Sequence, residues 1–334
     1  MRSIEVRDQS QVAEARRVAV ATAHAHGFDE EDAGRVAIVA SELATNLLKH
    51  GGGGELLVGS HDDGTGSGVE LLALDRGPGM ADVGASSRDG HSTAGSAGNG
   101  LGAISRGSHF SDVYSQPGIG TAVLARLEAG APTQDAGSRM ADYGAVSVAM
   151  RGEEACGDAW CRHALPGQLV LMVADGLGHG PFAADASLAA VRSFHQTLGA
   201  TPTEALTSMH AALRPTRGAA IAIARVDYAA CEVLFAGVGN IAGTIVNADG
   251  GVQRMVSNNG TVGHVAKRIR DFTYRLQGQP LVVLASDGLG TGWRLDDYPG
   301  LALRHPSLIA GVLYRDHNRG RDDVTVLVAR GIRP

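Results

Sequence analysis

Glu42-Leu43-Ala44-Thr45-Asn46, followed by Asp75-Arg76-Gly77-Pro78-Gly79, decides how the first half of the chain is read. Around the first stretch Val36, Val39, Ala40, Leu43 and Leu47 recur at steps of three and four, which predicts a helix over Glu31 to Leu48. Glu42 and Asn46 lie one turn apart and project from one face of that helix. Upstream, Gln11 to Ala25 has helical character with Ser10 as its cap. Downstream, Glu55 to Gly59 and Val69 to Asp75 read as strands, so Asp75 ends a buried strand and opens a Gly-Pro-Gly turn. A Ser/Gly-rich loop from Gly84 to Asn99 then leads into Gly98-Asn99-Gly100-Leu101-Gly102 and a helix to Ser108. Strands Ser111 to Ser115 and Gly120 to Leu127 complete an α/β sandwich-like unit.

The second half is a succession of apolar strands ending in acidic turns. Strand character runs through Ala145 to Met150, Gln168 to Ala174, Ala219 to Asp227, Val233 to Ala236, Gly243 to Val246, Leu281 to Ala285 and Val324 to Ala329. Helices fit Pro181 to Leu198, Pro202 to Leu213 and Pro306 to Tyr314. Strands packed with helices predict an α+β sandwich of two sheets covered by helices. Between the halves, residues 129–142 are small, polar and without periodicity, which marks a linker between a domain at 1–128 and another at 143–332.

Composition agrees with two domains. A chain of 334 residues with 44% hydrophobic residues can bury about two cores of ordinary size. The net charge of −6 and the lack of a basic stripe with interleaved aromatics argue against nucleic acid as a partner. No apolar run is long enough to span a bilayer and the N-terminus does not resemble a signal sequence, so a cytoplasmic protein without membrane partners is expected. Cys156, Cys161 and Cys231 form no CxxC pair and read as small apolar side chains.

The chemistry follows from where the polar groups fall. Asn46 offers a carboxamide oxygen to Mg²⁺, which prefers oxygen and keeps much of its water. Glu42 can accept a proton from an attacking hydroxyl. Asp75 can take the adenine amino hydrogen bond, with Gly77 and Gly79 letting the base approach the backbone. The glycine loop ending at Gly102 offers backbone N–H groups and a helix N-terminus to phosphates. ATP with Mg²⁺ is the ligand that uses all of these. In the second half, Asp175-Gly176, Asp287-Gly288 and Asp322-Asp323 sit at strand ends. Carboxylates gathered there repel one another unless cations lie among them. Two Mg²⁺ or Mn²⁺ ions would ionise a shared water for attack on phosphorus.

Taken together, Glu42-x-x-x-Asn46, Asp75-x-Gly77-x-Gly79, Gly98-x-Gly100-x-Gly102 and Gly120-Thr121 resemble the boxes of the GHKL (Bergerat) ATPases. Within these the segment 1–128 is similar to the serine/threonine kinase branch of anti-sigma factors and switch kinases, the RsbT-like group, which Asp89-Gly90-His91-Ser92-Thr93-Ala94-Gly95 strengthens. The resemblance implies Glu42 as catalytic residue, Mg²⁺ on Asn46, and nucleotide contacts from Asn46, Asp75, Gly77, Gly79, Gly98, Gly100, Leu101, Gly102 and Thr121. No helix with a phospho-accepting His precedes Glu42, which disfavours a two-component histidine kinase.

Gly157-Asp158, Asp175-Gly176-Leu177-Gly178-His179-Gly180, Gly237-x-Gly239-Asn240, Ser286-Asp287-Gly288 and Asp322-Asp323-x-Thr325 resemble the PPM (type 2C) protein phosphatases of the SpoIIE branch, with an RsbX-like compactness. The resemblance implies an α-β-β-α sandwich and a metal site of Asp158, Asp175, the Gly176 carbonyl, Asp287 and Asp322. Asp175 would bridge two metals, and Asp323 would support the site from behind. His179 is displaced from the family's Asp-Gly-His-Gly, so no acid role is carried over to it.

The two resemblances imply a bifunctional regulator of a partner-switching pathway. It would phosphorylate a STAS-domain protein on Ser or Thr and dephosphorylate a STAS phosphoprotein, with anti-sigma antagonists or stressosome proteins as partners. A homodimer is compatible with this. The alternative is an anti-sigma factor, or a nucleotide-sensing domain that controls a phosphatase without kinase activity.

Overall fold

The computed structural model describes residues 1–62, 67–83, 100–130, 143–266 and 268–330. The chain divides into two compact units. The first comprises Met1–Ala141 together with Leu303–Arg315, and the second Asp142–Ala302 with Asp316–Pro334. The linker expected at 129–142 falls largely outside the described residues, as do Gly98 and the stretch Asp89 to Gly95.

In the first unit, β1 (Arg2–Val6), β2 (Gly54–Asp62), β3 (Ser67–Leu74), β4 (Phe110–Gln116) and β5 (Gly120–Glu128) form an antiparallel sheet in the order β1-β2-β3-β5-β4. Helix α1 (Gln9–Ala25) starts two residues earlier than its periodicity indicated, because Asp8 rather than Ser10 is the cap. The Asp8 side chain accepts from Ser10 N while Gln11 returns a bond to the Asp8 backbone, closing a capping box. Helix α2 (Glu30–Gly51) is capped by Asp29 and stops at Gly52 in the left-handed conformation. Helix α3 spans Gly100–Gly107. Val36, Val39, Leu43 and Leu47 of α2 pack with Val12 and Val18 of α1 onto Leu56, Leu71, Ala73, Val123 and Ala125 of the sheet.

Because side chains alternate along a strand, Leu57, Leu72, Leu74 and Leu124 point to the sheet's other face, and all are buried. That face is covered within the same unit by the segment 303–315, most of it helix α6 (Pro306–His317). Gly311 lies against Leu72, where a Cβ would overlap the leucine side chain. The ion pair Arg126 Nε to Glu70 Oε2, 2.7 Å, is buried on this face and bonded to Ser307.

The second unit has two antiparallel sheets among the described residues. One is ordered β13-β10-β9-β8-β7, from β7 (Asp158–Leu165), β8 (Gln168–Gly176), β9 (Ala219–Asp227), β10 (Glu232–Val238) and β13 (Phe272–Arg275). The other is ordered β12-β11-β14-β15-β6, from β6 (Tyr143–Val148), β11 (Ala242–Val246), β12 (Val252–Met255), β14 (Leu281–Ala285) and β15 (Val324–Arg330). Leu169, Leu171 and Val173 of β8 pack with Phe235, Ile245, Leu284 and Leu327, the core between the sheets. Val170, Met172 and Ala174, the alternate residues, pack with α4 (Pro181–Gln196) and α5 (Pro202–Ala212) through Ala190, Phe194, Leu206 and Met209. A strand buried on both faces explains the unbroken apolar run ending at Asp175.

Candidate active sites

In the first unit the structure brings Gly51, Gly77, Gly120 and Thr121 to Asp75, and Gly100 to Asn46. Glu42 and Asn46 are half-buried on α2, turned away from the buried Leu43 and Leu47. The start of α3 approaches Asn46 so closely that a Cβ on Gly100 would lie 3.2 Å from both carboxamide heteroatoms. Asp75, at the end of β3, accepts through Oδ1 from Gly77 N at 2.8 Å and Thr121 N at 3.1 Å. Burial raises its pKa, and the bonds to Gly77 and Thr121, with the charges of Arg315 and His50, pull it back. Gly77 abuts the Gly51 backbone at 2.8 Å from its would-be Cβ. A Cβ at Gly79 (φ +67°) or Gly120 (φ +136°) would overlap the carbonyl oxygens of Gln116 and Asp75. The glycines thus let the main chain close in around one carboxylate, which remains a hydrogen-bond acceptor. A cavity of about 370 Å³ beside α3 is lined by Leu101, Gly102, Ile104 and Arg106 and includes neither Asn46 nor Asp75.

In the second unit the acidic residues come from both sheets. Asp158 opens β7 directly opposite Asp175 at the end of β8. Asp287 follows β14, and Asp322-Asp323 precede β15, its neighbour. Burial pushes the Asp175 carboxyl up to about 8, and repulsion from Asp158, Asp287, Asp322 and Asp323 adds to it. Burial likewise lifts Asp158 to about 7, against the bond from Ser286. Ser286 Oγ donates to Asp158 Oδ2 at 2.6 Å, while Asp158 Oδ1 is buried with no hydrogen-bond partner among the described residues. Asp287 Oδ2 accepts from Asn240 Nδ2 at 2.7 Å, and its pKa is raised by burial and by Asp322.

Asp323 is different. Its two oxygens accept from Met150 N at 2.7 Å and Gly157 N at 2.9 Å, so it ties two loops together. His179 is exposed and bonds through Nδ1 to Glu153 Oε1 at 2.7 Å. Ser286 holds Asp158 and Asn240 holds Asp287, roles not assigned to them from sequence even though Ser286 adjoins Asp287 and Asn240 ends the Gly237-x-Gly239-Asn240 motif. No trio of His, Cys, Asp or Glu among the described residues closes into a ready-made metal cage. The mutual repulsion and the unpartnered Asp158 oxygen nevertheless fit hard cations that keep part of their water shell, which does not require a tight cage.

Comparison with known proteins also divides the chain into two parts, but places residues 303–315, which pack in the first unit, within the second match. Residues 6–127 match the histidine kinase-like ATPase domain, and residues 166–331 match the stage II sporulation protein E (SpoIIE) family. The serine/threonine-protein kinase RsbT of Bacillus subtilis (strain 168) is 33% identical over 99 residues, which is 30% of this chain and 74% of RsbT. A solved chain described as part of the bacterial stressosome, a modular system adapted to control secondary messenger signalling, is 32% identical, with a TM-score of 0.53. It is covered to 98% of its length and corresponds to 57% of this chain. RsbX in complex with magnesium shows 19% identity and a TM-score of 0.48 over 56% of this chain and 92% of its own. No described helix is long and apolar enough to cross a membrane.

Proposed function

The chain belongs to two families, the RsbT-like histidine kinase-type (GHKL) ATPases through residues 6–127 and the SpoIIE branch of the PPM phosphatases through residues 166–331, and from this premise we propose that it both adds and removes a phosphate on proteins of a partner-switching system. The kinase function is ascribed to residues 1–128 and the phosphatase function to 143–332, joined by 129–142. The substrate class is a STAS-domain protein carrying a Ser or Thr phosphosite.

On the kinase side Asp75 receives the adenine amino group, and Gly77, Gly79, Gly98, Gly100, Leu101, Gly102 and Thr121 surround the nucleotide. Asn46 holds Mg²⁺, which neutralises phosphate charge when bound. Glu42 accepts the proton of the attacking Ser or Thr hydroxyl. On the phosphatase side Asp158, Asp175, Asp287, Asp322 and the Gly176 carbonyl hold two Mn²⁺ or Mg²⁺. When bound, these ions supply the acidity that turns water into a nucleophile at neutral pH. Ser286 and Asn240 fix the carboxylate directions, and Asp323 holds the Met150 and Gly157 loops in place.

The observation that carries the reading is the Asp158–Asp175 pair, raised by burial and with one oxygen unpartnered, in a chain that also retains the Glu42 and Asn46 face. The test is phosphate content of a STAS partner, followed by intact mass spectrometry, first with Mg·ATP and then with Mn²⁺ alone. Wild type should add and then remove one phosphate. Glu42→Ala should block the gain and Asp175→Ala the loss. A partner never phosphorylated while p-nitrophenyl phosphate is still hydrolysed would favour a nucleotide-sensing phosphatase. Binding of a sigma factor instead would favour an anti-sigma factor.

A further inference from the structure

The turn that carries Asp75 is held by a residue from far along the chain. Arg315 is buried in the first unit and donates from Nη1 to the main-chain carbonyl of Asp75 at 3.0 Å. The Arg76 side chain donates in return to the Arg315 carbonyl. The same segment is fastened along the sheet at three further points. His305 N donates to Asp112 Oδ2 at 2.9 Å, Ser307 Oγ to Glu70 Oε2 at 2.9 Å, and Tyr314 OH to Glu55 Oε1 at 2.8 Å. This is a strap that ends at the Asp75 turn.

Beyond Arg315 the chain runs directly to Asp322. On the way Gly290 N donates to His317 O at 2.8 Å and Arg319 N to Gly288 O at 2.9 Å. The stretch after α6 is therefore bonded to the loop that follows Asp287 and ends at the Asp322 carboxylate. A change at the C-terminal end of α6 has a short covalent route to Asp322 and a hydrogen-bonded one to the loop after Asp287.

We propose that Arg315 is a positioning residue for Asp75 and that α6 couples nucleotide occupancy to the metal affinity of the Asp287 and Asp322 side chains. This regulation rests on the two-activity reading above. A nucleotide that engages Asp75 favours the arrangement in which the Asp75-Arg76 turn and Arg315 are clamped. Such coupling is reciprocal, so metal at the acidic cluster in turn alters nucleotide affinity.

The test uses the full chain, a non-hydrolysable ATP analogue and constant Mg²⁺ in all arms. Hydrogen exchange is read over residues 303–323, and Mn²⁺ affinity is read from the Mn²⁺ dependence of p-nitrophenyl phosphate hydrolysis. In wild type the analogue should slow exchange in that segment and shift the apparent Mn²⁺ affinity by about fivefold or more. Arg315→Met should weaken nucleotide binding and abolish the nucleotide-dependent shift in Mn²⁺ affinity. Arg315→Lys should restore part of the response. The wild-type arms decide the matter even if Arg315→Met does not fold. Bound analogue with neither exchange nor Mn²⁺ affinity altered overturns the coupling alone. Failure to bind the analogue, or no Mn²⁺-dependent hydrolysis, overturns the two-activity reading and the coupling with it.

Discussion

Asp158 and Asp175 face each other across a strand pair and retain protons to about 7 and about 8, mainly because they are buried. An unfolded chain releases those protons near 3.8. Raised folded pKa values make protonation favour the folded state, so the metal-free protein loses stability as pH climbs through that window. The expected outcome is a melting temperature that falls between about pH 5 and pH 8 without metal, with a Mn²⁺-induced rise larger at pH 8. Asp175→Asn should flatten the metal-free trend. Calorimetry that showed wild type and Asp175→Asn with the same pH slope would defeat this account. Asp175 was legible in the sequence because it precedes a glycine at the end of an apolar run, whereas Asp158 stood out only through the family resemblance of Gly157-Asp158. Ser286, which holds Asp158, and Asn240, which holds Asp287, were not assigned, since a hydroxyl or amide reveals its partner only when distant strands are aligned.

At the level of elements, the glycines flanking Asp75 are constrained by backbone rather than by side chains. Gly120 has φ +136° and leaves no room for a Cβ beside the Asp75 carbonyl. Gly120→Ala should therefore destabilise the first unit by about 1–3 kcal/mol and weaken nucleotide binding, read from denaturant unfolding and from calorimetric titration. A wild-type stability would mean that the β4–β5 turn relaxes freely. Long periodic helices and doubly buried strands such as α2, β8 and β14 were visible in the pattern. The strands Arg2–Val6, Asp158–Leu165, Val252–Met255 and Phe272–Arg275 were not. Their burial is partial or mixed, as in the sheet-edge strand β7, so they lack a clean apolar period. The capping box at Asp8 escaped notice because Ser10 is also a good cap, and only the backbone geometry chooses between them.

For the whole molecule, the order of the two families along the chain was readable, but the membership of residues 303–315 was not. Pro306 to Tyr314 had the look of one more helix of the second half. Its burial on nearly every side shows that it has no solvent face. A protein cut in the linker, ending at residue 142, would keep Leu57, Leu72, Leu74 and Leu124 but lose the segment that covers them. The fragment should self-associate or precipitate, and adding a peptide of residues 303–317 should return it to a monomer in sedimentation. A fragment that is monomeric and as stable as the intact unit would contradict the packing described. Since α6 lies between β14 and β15 rather than at a chain end, a break at the linker parts the first unit's sheet from the segment that covers it. Carried on one polypeptide, the two units are made in a one-to-one ratio at every level of expression.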